Sequence, residues 1–98
     1  MKLKLRYPLN IGKIELTELN LRDHTIAADY LAFDQRGGVA QRIALIASVA
    51  GTDEEVIKRL RGVDYRRAET EVDRLMKEDE AEAEGGETVE PAKVLEKK

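Results

Sequence analysis

The chain has 98 residues, enough for one small domain, and its 42% hydrophobic content supports a core that must be aliphatic, since aromatics are only 4%. It has no Cys and one His, which excludes disulfides, thiol catalysis, thiolate metal sites and a multi-histidine metal centre within one chain. The net charge of −3 is uneven: residues 1–77 carry 14 basic and 12 acidic side chains, a balance of +2, and residues 78–98 carry 3 and 8, a balance of −5. A near-neutral folded part has no overall drive towards nucleic acid or membrane.

Leu3, Leu5 and Tyr7 alternate with Lys2, Lys4 and Arg6, the pattern of a strand with one apolar face and one basic face. Nothing here reads as a signal peptide, and the longest apolar run, Ile43–Ala47, is five residues, against about 20 for a membrane span. A soluble intracellular protein is expected. Pro8 is expected to end the strand, because it cannot donate to a ladder. Asn10 and Gly12 supply turn chemistry for a loop of several residues. A returning strand from Ile14 completes an antiparallel hairpin over residues 2–21, with Leu3, Leu5, Tyr7, Ile14 and Leu16 facing a core. Within it the alternation slips: after Ile14 and Leu16 the next apolar residues are Leu19 and Leu21, not 18 and 20. A β-bulge near Thr17–Glu18 explains this, as does a strand that stops near Thr17 and continues as a second extended piece.

Four helices follow, expected at about residues 25–36, 38–50, 53–61 and 64–77. Asp23 or Thr25 is a candidate cap for the first, whose Ile26, Tyr30 and Phe33 share a face. Gly37-Gly38 ends it. The second, with Val39, Ile43, Ile46 and Val49 on one side, is apolar enough to be the centre of the core. Thr52 and Glu55 form a capping box for a short third helix carrying Val56, Ile57 and Leu60. Asp64 is a candidate cap for a long fourth helix, with Tyr65, Ala68, Val72, Leu75 and Met76 at spacings of three and four. From Glu78 the stripe fades into an acidic tail, with the helix fraying from about Lys77 and disorder over 84–98. The fold class is therefore α+β: an N-terminal antiparallel hairpin packed on about four helices, with a disordered acidic C-terminal tail.

No catalytic, cofactor-binding or metal-binding residue stands out. Glu54-Glu55 and the 78–84 run read as helix-cap and solvated charge. No phosphate-binding glycine motif occurs. His24, beside Asp23, reads as a turn residue rather than a proton or metal site, because no partner set accompanies it. Ser48, in the most apolar helix, is expected to bond back to its own helix. The stretch from Thr52 to Arg67 gathers Lys58, Arg59, Arg61, Arg66 and Arg67 around a helix-turn-helix-like turn, but Glu69, Glu71 and Asp73 lie on the would-be recognition helix. A nucleic-acid-binding regulator is therefore the weaker, alternative reading. A generic interaction module such as an antitoxin is a third.

The slipped stretch carries a family resemblance. "KLRYPL", then "GKIELTELNLRDHT" and "AADYLAF", resembles the phage tail assembly chaperone family of long-tailed and Mu-like phages, through Pro8, Gly12, Thr17, Glu18, Leu19, Leu21, Arg22, Asp23 and Thr25. Ala50-Gly51, the segment Thr52 to Leu60, and Asp64-Tyr65 continue it, so that it covers about residues 2–76. His24 departs from the Pro of that pattern. The resemblance implies a non-enzymatic protein of a phage or prophage, working in the cytoplasm of the bacterial host and absent from the mature virion. It implies that the chain binds the tape measure protein, keeps it soluble and helps bring tail tube subunits to it, with no cofactor or small-molecule substrate. It also implies a second, longer form made by ribosomal frameshifting, with which Lys97-Lys98 is compatible. The partner-binding residues are not assigned by sequence, and self-association is left open.

Overall fold

The computed structural model describes residues 1–34 and 37–85. It has the α+β architecture expected: an antiparallel hairpin of β1 (Lys2–Ile11) and β2 (Ile14–Asn20), then four helices. These are α1 (Ala27–Asp34), α2 (Gly38–Ala50), α3 (Glu54–Lys58) and α4 (Gly62–Gly85). The expected disorder over 84–98 lies, from residue 86 on, outside the described residues.

The hairpin explains the slip. Near the chain end the pairs are Lys2–Asn20, Leu3–Leu19 and Lys4–Glu18; near the turn they are Leu9–Leu16, Asn10–Glu15 and Ile11–Ile14. Between the two blocks the four residues Leu5–Pro8 stand opposite Thr17 alone, an offset of three. The apolar positions of β1 are all odd: 3, 5, 7, 9 and 11. An odd offset lets them meet Leu19 in one block and Leu16 and Ile14 in the other. The one-residue slip in β2 is therefore what keeps apolar opposite apolar on both sides of the irregularity. The extra residues lie on β1, across from the expected position at Thr17–Glu18.

Pro8 does not end β1. It falls inside the irregular segment, where no ladder amide is required, and the strand continues to Ile11. Asn10 accordingly sits in the strand, and the turn is only Gly12-Lys13. Gly12 has φ 61° and Lys13 does not share the positive φ, the arrangement of a type II′ hairpin turn. Two residues expected in the core face solvent: Tyr7 within the irregular segment, and Ile14 (68% exposed) at the turn end.

The core is centred on α2. Ala44, Leu45, Ile46, Ala47 and Val49 are buried there, against Leu3, Leu5, Leu19 and Leu21 of the hairpin end, Ile57 and Leu60 near α3, and Ala68, Val72 and Leu75 of α4. Gly51, with φ 67°, ends α2 in a Schellman arrangement: its N–H reaches the Ser48 carbonyl and the Thr52 N–H reaches the Ala47 carbonyl at 3.0 Å. Thr52 therefore terminates α2, and the expected Thr52/Glu55 box does not form. Asp53 is the N-cap of α3, without a side-chain cap bond.

Asp64 is likewise no cap. The helix starts at Gly62, and the fully buried Asp64 carboxylate accepts the Arg6 amide at 3.0 Å and the Tyr7 amide at 3.1 Å. Arg67 donates to the same carboxylate at 2.9 Å and to the Lys4 carbonyl at 2.8 Å. The irregular segment of β1 thus finds its hydrogen-bond partners on α4. Helix α4 continues to Gly85, eight residues past the expected end at 77. Arg74 bridges Glu71 and Glu78, and Asp79 accepts a hydrogen bond from Tyr30 of α1, so the acidic turn is tied to what precedes it.

Replacing Asp64 with Ala leaves two amides and a guanidinium without their acceptor. It should lower unfolding free energy by about 2–4 kcal/mol in urea titrations. Thr52→Ala, which loses no cap bond, should stay within about 1 kcal/mol of the parent.

Candidate interaction surface

The local feature that sets the surface is a buried carboxylate on α1. Asp29, fully buried, accepts the Arg22 guanidinium through both oxygens at 2.8 and 3.1 Å, the Ser48 hydroxyl at 2.5 Å and the Ile26 amide at 2.8 Å. Neither Asp23 nor Thr25 caps α1; the Ile26–Asp29 bond closes its first turn instead, from the third helical position. Ser48 does not bond back to its own helix. It donates to Asp29, while Arg22 also donates to the Ser48 carbonyl at 3.1 Å and to the His24 carbonyl at 2.9 Å. One arginine and one aspartate thus join the end of β2 to α1 and α2.

This cluster turns one acid of α1, Asp29, inward; Phe33 packs against the core as expected, while the exposed residues are Ala27, Ala28, Leu31 and Asp34, three of the four apolar. Leu31 is 61% exposed, and Ile26, expected on the inner face, is 48% exposed. On the other side Tyr30 donates to Asp79 at 2.6 Å, and Thr25 donates to the same carboxylate, fastening α1 to the far half of α4. Val39, expected to line the core, is 63% exposed at the start of α2, where it lines a mostly apolar groove of about 170 Å³ with Ile43, Ile57, Leu60, Tyr65 and the cationic Lys58. A volume of that order holds one aromatic or branched side chain.

The residues weighed for chemistry are dispersed. His24 and Asp23 face solvent, 2.9 Å apart. Glu55 pairs with Lys58 at 3.1 Å on the surface of α3. Among the described residues, no group of three or more His, Cys, Asp or Glu side chains is placed to hold a metal, and no helix is long and apolar enough to cross a membrane. The basic cluster is divided too. Arg67 turns inward to Asp64, Arg66 pairs with Glu69 at 3.4 Å, and Arg61 lies over the Tyr7 ring at 4.1 Å. With α3 only five residues long, the helix-turn-helix reading gains nothing from this arrangement.

Burial pushes the Asp29 carboxyl up, but Arg22, Ser48 and the Ile26 amide outweigh it and hold it below the usual carboxylate range. Burial also pushes Asp64 up, and the Arg6 and Tyr7 amides with Arg67 likewise hold it low. These are the two charges on which the arrangement rests, and Asp29 is the one that sequence reading missed. Its position in "AADYLAF" resembles any exposed first-turn acid.

A small α+β domain with apolar residues held outward on α1 and α2, and charge around them, is the form of a protein-binding module. Residues 2–77 match the family described as "Phage tail assembly chaperone proteins, E, or 41 or 14", and the chain belongs to that family. No curated protein and no solved structure matches it.

A carboxylate with a lowered folded pKa contributes stability that is complete above its unfolded pKa of about 3.9 and is lost as pH falls through the folded value. Denaturation midpoints measured from about pH 7 down should therefore hold steady with respect to Asp29 and Asp64 until about pH 4, then fall. In Asp29→Asn the starting stability should be lower and the acid decline shallower.

Proposed function

We propose that this chaperone acts on the tape measure protein of its phage or prophage. It binds helical segments of that client, keeps them soluble in the host cytoplasm and yields them to the tail tube subunits, without catalysis and without entering the finished particle. The outward apolar face of α1 supports this reading most directly. Leu31, with Ala27 and Ala28, is presented by a helix whose only inward-turned acid is anchored by Arg22 and Ser48. A long apolar helix laid against such a face buries surface that is otherwise exposed in both partners. Family membership supplies the tail-assembly setting. The surrounding charge keeps the complex dispersed.

Co-expression with the tape measure protein tests this. The parent chain should raise the soluble fraction of that client. The Ile26→Asp, Leu31→Asp double variant should lose most of the effect, roughly 5-fold or more, while its own unfolding free energy falls by less than about 1 kcal/mol for each substitution. A client equally insoluble with and without the chain defeats the proposal.

A further inference from the structure

A second surface lies on the β1 irregularity, away from α1. The Tyr7 ring is 45% exposed, with the Arg61 guanidinium over it at 4.1 Å and Val63 (39% exposed) close in sequence to Arg61. Arg6 is exposed next to Tyr7 in the irregular segment, and Lys4 is exposed in the ladder just before it. The shared Asp64 clamp keeps β1 and the start of α4 together here. Most arginines of the described residues have a carboxylate: Arg22, Arg42, Arg66, Arg67 and Arg74 each pair with one. Arg6 and Arg61 have no carboxylate partner among the described residues, whereas Lys4 stands opposite Glu18 in the ladder. An exposed aromatic ring under one such cation, with a second next to it in the chain, has the composition of a binding hot spot for an acidic segment.

The opposite chemistry lies at the other end of α4. Residues 78–84 carry Glu78, Asp79, Glu80, Glu82 and Glu84 and no basic residue. Glu80, Glu82 and Glu84 are exposed, and the last turn holds no cation to offset the negative end of the helix. The two ends cannot meet within one molecule. Helix α4 has 24 residues, and its rise of 1.5 Å per residue places Glu80–Glu84 about 27–33 Å along the axis from Gly62.

We infer that the Tyr7–Arg61 surface of one copy receives the acidic end of α4 from a second copy. Two copies with their α4 helices antiparallel satisfy both surfaces at once. The contact is the same in each direction, so it closes as a two-fold dimer and does not propagate. Antiparallel helix dipoles and the removal of like-charge repulsion along Glu80–Glu84 favour it. The contact is polar and small, so its affinity is modest and salt-dependent. A single-stranded nucleic acid also suits a basic aromatic surface. The near-neutral balance of residues 1–77 and the matching acidic helix on the same chain favour the protein contact.

Sedimentation equilibrium of the full chain at about 50 mM and about 500 mM salt reads this directly. A monomer–dimer equilibrium is expected at the lower salt, weakened at least about 10-fold at the higher. Arg6→Glu with Arg61→Glu should be monomeric, as should Glu80→Lys with Glu82→Lys and Glu84→Lys. Mixing the two variants should restore a dimer, because each then offers the surface the other needs. That gain does not arise from a variant that has merely lost its fold. A monomer at low salt, a dimer indifferent to charge reversal, or a mixture that stays monomeric overturns the inference. So does a labelled single-stranded oligonucleotide that binds the parent monomer in place of self-association and is lost with Arg6→Glu and Arg61→Glu.

Discussion

Asp64 lies in the first turn of α4, but the groups its carboxylate serves are the Arg6 and Tyr7 amides, 58 and 57 residues earlier in the chain. Those amides belong to the segment Leu5–Pro8, which stands outside the regular ladder. Left buried without acceptors, they would each cost on the order of 1–3 kcal/mol. The start of a helix favours negative charge, so the position that suits the carboxylate electrostatically is also the one from which it reaches the strand. Arg67, one turn later, balances the charge and takes the Lys4 carbonyl. The hairpin is thereby fixed against α4. The register on either side, the exposure of Tyr7 and the seating of Leu3 and Leu5 on α2 and α4 all follow from that fixed point.

Local pattern was enough to expect the hairpin, the apolar central helix and the amphipathic stripe of α4, because each repeats at its own period. The slip from Ile14/Leu16 to Leu19/Leu21 also located the irregularity. It did not show which strand carries the extra residues: the even-to-odd change stands in β2, while the four residues facing Thr17 stand in β1, whose own alternation is unbroken. Long-range polar contacts left no local trace. Asp29, Ser48 and Asp64 each have an ordinary short-range explanation as a first-turn acid, a back-bonding hydroxyl or a cap. In each case a partner remote in sequence competes and wins. The α1 surface was hidden for the same reason. A helix read by periodicity turns its apolar side inward, whereas here the Arg22–Asp29–Ser48 bonds on one side and Tyr30 and Thr25 on Asp79 hold α1 with Ala27, Ala28 and Leu31 outward.

The reversal has an energetic logic. Holding Leu31 in water forgoes burial worth about 1.5–3 kcal/mol. Burying Asp29 instead carries a desolvation cost, offset by a bidentate guanidinium, a hydroxyl and an amide. A sequence shaped for stability alone has a cheaper solution in an apolar residue at 29. The ion pair ties α1 to the end of β2 and, through Ser48, to α2, and so holds the orientation in which Leu31 is exposed.

The family match ends at residue 77, but α4 runs on to Gly85 without a break. The matched part carries the balance of +2 and the extension to Gly85 the whole of the −5, so a boundary invisible in the backbone is sharp in charge. Asp79 belongs to the extension yet bonds to Tyr30 and Thr25, which flank the outward face of α1. The acidic extension is therefore tied to α1 through Asp79. Both hydroxyls reach the same Oδ2, so a single carboxylate oxygen joins the acidic turn to α1 and to the segment that leads into it.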